Sequence, residues 1–240
     1  MKIMKYAAFQ FEICANGVES CLAAQAGGAD RVELCAGIPE GGTTPSMGEI
    51  EQARQLLTMT RLHVIIRPRG GNFVYSELEV GRMLADISLC RALGVDGVVF
   101  GCLTPEGDVD KALCQRLKEA CGDMSVTFHR AFDRARDPRQ ALEDIIALGF
   151  HRILTSGQQP TAEAGIPLLK ELHERAQGRI ILLAGSGVNE GNILRIHQET
   201  GISEFHFSAR EAVSHDPEFG DRMLTTERRV RNTIQALKPS

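Results

Sequence analysis

The sequence predicts an α/β fold: a closed (β/α)8 barrel, one domain over residues 1–240. Three observations predict it. Eight short apolar runs recur about every 25–30 residues, the length of one strand, one helix and two turns. Most of these runs are followed by a stretch with apolar residues at helical spacing. No linker, low-complexity segment or change of composition divides the 240 residues, a length that suits a single barrel. An open doubly wound sheet needs only about five or six such units.

The strands are expected at 9–14, 31–35, 62–66, 97–100, 125–129, 152–155, 180–184 and 204–207. The helices between them announce their starts. Ser46-Met47-Gly48-Glu49 and Ser76-Glu77-Leu78-Glu79 have the form of a capping box. Asp137-Pro138 supplies a capping carboxylate followed by proline in the first turn, where its missing N–H costs nothing. Glycines such as Gly94, Gly149 and Gly201 close helices just before the next strand. Residues 209–224 are polar and irregular, so the last unit is expected to be atypical. The basic tail around Arg228, Arg229 and Arg231 carries Val230, Ile234 and Leu237 at helical spacing and reads as a solvated helix with one buried stripe.

Composition excludes several classes. A net charge of −4 with no basic cluster before that tail argues against a nucleic-acid partner. No apolar run approaches the roughly 20 residues of a membrane span, and residues 1–10 do not read as a secretory signal. Seven cysteines without such a signal point to free thiols in the reducing cytoplasm. Cys21, Cys90, Cys114 and Cys121 fall on apolar helix faces and are expected in the core. No Cys-x-x-Cys and no structural-zinc spacing occurs.

The unusual residues collect where strands end, the face on which such barrels build active sites. Phe11-Glu12-Ile13-Cys14 and Val32-Glu33-Leu34-Cys35 end the first two strands in parallel. Alternation puts Glu12 with Cys14, and Glu33 with Cys35, on one face. Two thiols and two carboxylates at one sheet end can bind a soft metal or build a catalytic pocket. Arg67 and Arg69 follow strand three. Two residues apart on a continuing strand, they present forks suited to an anion, or to Glu12 or Glu33. His129 ends strand five as a candidate acid, base or ligand, with Asp133 placed to orient it or to cap the next segment. The Gly185-Ser186-Gly187 turn at a helix start, with Ser208 after strand eight, matches the usual place for an anion in a barrel. His206 shares its phase with Glu204 and Ser208, which favours the barrel interior.

Several of these segments together resemble the CutC family, named for copper homeostasis. They are Glu12-Ile13-Cys14, Gly28-Ala29-Asp30-Arg31-Val32-Glu33-Leu34-Cys35, Glu40-Gly41-Gly42-Thr43-Thr44-Pro45-Ser46, Ile66-Arg67-Pro68-Arg69-Gly70-Gly71, Thr127-Phe128-His129-Arg130-Ala131-Phe132-Asp133, Leu154-Thr155-Ser156-Gly157 and Ala184-Gly185-Ser186-Gly187-Val188. The match runs from about residue 10 to residue 208 and less clearly beyond. The resemblance implies a TIM barrel, cytoplasmic and dimeric, with a copper(I) site at Cys14 and Cys35. Two functions are therefore expected to compete. One is copper(I) binding by Cys14 and Cys35, since soft thiolates select that ion. The other is a metal-independent enzyme acting on a small anionic metabolite, phosphorylated or not. In that reading Arg67 and Arg69 clamp the anion, Gly185, Ser186, Gly187 and Ser208 cradle it, and Glu12, Glu33 or His129 moves a proton. The expected partners are thus a copper ion or such a metabolite, and a second copy of the chain in a homodimer.

Overall fold

The computed structural model describes residues 9–218 and 220–237; the reading of the extreme N-terminus as no secretory signal falls mostly outside them. Eight parallel strands close into a barrel in sequence order: β1 (Gln10–Ala15), β2 (Arg31–Leu34), β3 (Arg61–Ile65), β4 (Gly97–Phe100), β5 (Ser125–Phe128), β6 (Arg152–Thr155), β7 (Ile181–Gly185) and β8 (Glu204–Phe207). β8 pairs with β1, so the barrel itself has no open edge. The helices α1 (Val18–Ala26), α2 (Met47–Leu56), α3 (Glu77–Ala92), α4 (Lys111–Cys121), α5 (Pro138–Ala147), α6 (Ile166–Ala176) and α7 (Ile193–Thr200) connect successive strands.

The local signals act as their chemistry requires. Ser46 and Ser76 both complete capping boxes with Glu49 and Glu79. Asp137 accepts from the backbone N–H groups of Arg139 and Gln140 at the start of α5. Gly201 closes α7 at φ 76°, a conformation that a side chain would strain. Outward-facing strand residues such as Ile13, Val32, Leu62 and Phe205 are fully buried beneath the helices, as expected of a parallel sheet covered on its outer face. Cys21, Cys90, Cys114 and Cys121 are buried among them.

The chain departs from expectation after β8. Residues read as irregular form an antiparallel hairpin, β9 (Arg210–Asp216) and β10 (Gly220–Thr225). Most of its side chains are exposed, so neither face carries an apolar alternation that a sequence reading could detect. The hairpin rests on the β1–α1 region. Asn16 Nδ2 donates to the Met223 carbonyl (2.7 Å), and the Thr225 N–H donates to Ser20 Oγ (3.1 Å). The final helix, α8 (Glu227–Gln235), buries Val230 and Ile234, with Leu237 just beyond it, as its spacing predicts.

Inside the barrel lies an ionic layer. Arg31 Nε donates to Glu12 and its Nη2 to Glu204 (3.0 Å); Arg152 donates from Nε to Glu204 (3.0 Å) and from Nη1 to Ser125 Oγ (2.7 Å). Two guanidiniums meet two carboxylates, which offsets the cost of removing all four from water. Arg31, not Arg67, is therefore the partner of Glu12. His63 is buried at the same depth, 3.9 Å from Glu12. β4 begins with glycine there because a Cβ at Gly97 would lie 2.5 Å from His63 Nε2.

Candidate functional site

Above this layer, at the C-terminal ends of the strands, a cavity of about 320 Å3 opens to solvent. Its deepest polar wall comes from β1, β2 and β8. The register sets Cys14 opposite Glu33, and the Cys35 N–H continues the ladder to the Ala15 carbonyl (2.9 Å). Alternation then turns Cys14, Glu33 and Cys35 inward together. Cys14 Sγ and Cys35 Sγ lie 3.5 Å apart. Ligand atoms of Cys14, Glu33 and Cys35 all fall within 4.8 Å of one another. Cys14 is half-buried and Cys35 buried, and both line the cavity.

His206, on β8, ties this wall to the layer below. Its Nδ1 lies 2.8 Å from Glu12 Oε1, and its Nε2 is 3.6 Å from Glu33 Oε2. Burial disfavours the imidazolium. The hydrogen bonds to Cys14 and Glu12 and the nearby carboxylates outweigh it, holding the His206 pKa well above its usual value. The Cys14 thiol moves the other way. Its hydrogen bond with Cys35 lowers its pKa, burial opposes this, and His206 and Arg210 add to the lowering. Cys35 is raised by the same shared hydrogen bond and by burial, so the pair holds one proton between them. Burial pushes Glu33 up to about 8, against the pull of His206. Glu12 stays ionised: burial raises its pKa, but Arg31 and His206 more than reverse that.

The opposite half of the mouth is built from loops. Arg67 is buried, donating from Nη1 to the Glu40 and Gly42 carbonyls (2.8 and 2.7 Å) and from Nη2 to Gly71 (3.0 Å), with its guanidinium 5.1 Å from the centre of the Phe73 ring. His129 is buried beside it. Burial and then the Arg67 charge lower its pKa to about 3, so it is neutral. Its Nδ1 accepts from the Ala131 N–H (3.3 Å), which leaves Nε2 protonated, buried and without a partner. Asp133 does not orient it; that carboxylate binds Arg130, Thr155 and the Ser156 N–H instead. Ser186, Gly187 and Ser208 line the cavity.

Three expectations are corrected. Arg69 does not join Arg67 in lining the cavity. β3 ends at Ile65, the chain leaves the strand, and Arg69 turns to Glu79 (2.5 Å), Asn72 and Val74, where it holds its own loop against the start of α3. The Gly185-Ser186-Gly187 turn does not begin a helix, because α7 starts only at Ile193, and Gly185 packs against Leu154 and His206 in the barrel wall. Glu12 lies beneath the cavity rather than on its surface, reaching it only through His206.

Sequence reasoning placed His206 in the barrel interior without its contacts, and missed two further participants. His206 had a detectable signal, two residues after Glu204 at a strand end, but its contact with Cys14 crosses the barrel seam. Arg130 lines the cavity from the segment after β5. Arg210 lines it from the first residue of the hairpin, a position that only the unexpected hairpin defines.

Comparison with known proteins agrees with this architecture. The CutC family model matches residues 9–211. A CutC family protein from Bacteroides thetaiotaomicron is 64% identical over 245 residues, covering 96% of this chain and 98% of its own. The human copper homeostasis protein cutC homolog is 50% identical over 202 residues, covering 84% and 74%. A crystal structure of CutC from Streptococcus agalactiae superposes with a TM-score of 0.80 at 36% identity, over 83% of this chain and 98% of that one. The chain belongs to the CutC family.

Proposed function

We propose that this protein serves copper homeostasis by binding copper(I) as cargo through Cys14 and Cys35, in the cytoplasm and as a homodimer. The observation that carries the reading is the 3.5 Å approach of the two sulfurs at the base of an open cavity. The donor set suits a soft monovalent ion. Two sulfurs converge, one already favours the thiolate, and the neighbouring Glu33 is kept largely protonated rather than offering a hard oxygen anion. His206 and Arg210 supply positive charge beside a dithiolate. The free state of all seven cysteines and the lack of any helix long and apolar enough to cross a membrane are compatible with that setting. The test is titration with copper(I) against a competing chelator. The wild type should bind one equivalent, and Cys14→Ser/Cys35→Ser should bind none; undiminished affinity in the double variant rejects the site.

A specific observation favours a second reading, a metal-independent enzyme acting on a small anionic metabolite. Glu33, at about 8, is poised to exchange a proton near neutral pH inside a pocket. There Glu33 transfers the proton, Glu12 acts through His206, His129 donates from Nε2, and Arg67 supplies positive charge. A metabolite screen should then find a compound consumed by the wild type and left intact by Glu33→Gln; a compound turned over equally by both removes Glu33 from the chemistry.

A further inference from the structure

Two arginines of the cavity, Arg67 and Arg210, are not paired with a carboxylate among the described residues. Every hydrogen bond that Arg67 donates goes to a backbone carbonyl, which carries no net charge. Arg210 forms no side-chain hydrogen bond or ion pair among the described residues. Arg130, by contrast, is balanced by Asp133 (2.7 Å), and Glu33, which lines the same cavity, forms no ion pair with Arg67 or Arg210. Two guanidiniums therefore face one small cavity with no carboxylate paired to either. A buried charge is normally paired, and Arg67 is only 4% exposed.

The neutral donors around them are also unused. His129, 4% exposed, has its Nε2 proton without an acceptor. Arg67 Nε is likewise buried and unpartnered. The backbone N–H groups of Gly187 and Val188, which line the same cavity, donate to no group among the described residues. All of these groups are donors, which excludes a cation at this wall.

The backbone is held in costly conformations to build it. Ser186 and Ala209 adopt φ of 81° and 47°, in a region that side chains avoid. Ser186 is fixed by its hydroxyl bond to the Pro160 carbonyl (2.8 Å). Ala209 bends the chain as it leaves β8, and the next residue is Arg210. Both distortions border the cavity, after β7 and β8, the favoured place for phosphate in barrels of this class.

We propose that Arg210, Arg67, His129 and the Ser186–Val188 turn bind the phosphoryl group of a small phosphate monoester. The charge count selects the ligand: two guanidiniums without a carboxylate partner suit a group carrying about −1.5 to −2 at neutral pH better than a carboxylate, which carries one charge. The size of the cavity admits a metabolite and not a macromolecule. The proposal deepens the second reading above by naming its ligand class, and it requires no turnover.

The experiment is calorimetric titration of the full chain with inorganic phosphate, and with acetate for comparison. Phosphate should bind saturably and more tightly than acetate. Arg210→Gln should weaken it at least about tenfold, the usual effect of losing a charged hydrogen-bond partner. Arg222→Gln, on the same hairpin but paired with Glu19, should leave it unchanged. Absence of saturable phosphate binding, or equal affinity in wild type and Arg210→Gln, overturns the proposal. Acetate binding as tightly as phosphate overturns the phosphate assignment while leaving an anion-processing enzyme standing.

Discussion

The floor of the barrel and the mouth above it use the same residue types to opposite ends. In the floor, Arg31 and Arg152 are matched by Glu12 and Glu204, and the charges close on one another. In the mouth, Arg67 and Arg210 have no carboxylate, and the one acid that faces them, Glu33, is driven towards its neutral form. The floor is a finished electrostatic unit that supports the fold. The mouth is an unfinished one, which a ligand of opposite charge would complete. His206 joins the two, with Glu12 below it and Cys14 above.

That contrast breaks first, and most heavily, in the floor. Glu204→Ala removes the carboxylate shared by Arg31 and Arg152 and leaves both guanidiniums buried with too little negative charge. We expect a loss of about 3–5 kcal/mol in unfolding free energy, read from urea denaturation. A loss below about 1 kcal/mol would mean that water already compensates those arginines.

Acidification separates the regions less steeply. His63 in the floor and His129 in the mouth both have their pKa lowered from 6.5 to about 3 by burial. Between those values the unfolded chain binds a proton that the folded chain refuses. Each histidine therefore contributes stability that is present above about pH 6.5 and lost as pH falls, at up to about 1.4 kcal/mol per pH unit. Glu33 acts in the opposite direction, its contribution declining as pH rises towards about 8. The informative quantity is thus the difference between wild type and His129→Gln, measured from about pH 7 to about pH 5. The variant should show the shallower loss, and parallel curves would show that His129 is protonated in the fold.

Gly97→Ala probes how tightly the floor is packed. The added methyl would meet the buried His63 ring at 2.5 Å, and overpacking of this kind costs about 1–3 kcal/mol. The smallest effect belongs to the mouth. Arg210→Gln should change unfolding free energy by no more than about 0.5 kcal/mol even as phosphate binding is lost. A large destabilisation would make Arg210 a structural residue.

Legibility in the sequence followed the regular backbone. The convergence of Cys14, Glu33 and Cys35 could be read because all three lie on or one residue beyond paired parallel strands, where the period of two fixes which way each side chain points. The same rule misled at Arg69, since β3 stops at Ile65 and alternation has no meaning in the loop that follows. It also placed His206 inside the barrel without revealing its reach to Cys14, because that contact runs between the first and last strands, nearly the whole chain apart in sequence.

The sequence by itself determined the eight-unit barrel, its capped helices, the core cysteines and the pairing of two thiols with a carboxylate at one rim. Each of these follows from local periodicity or from a neighbouring strand. Only the tertiary structure decided which arginines are neutralised, which acid stays protonated, and that a hairpin carries Arg210 to the cavity. Those outcomes depend on the sum of burial and charge from distant segments, and no stretch of sequence contains that sum.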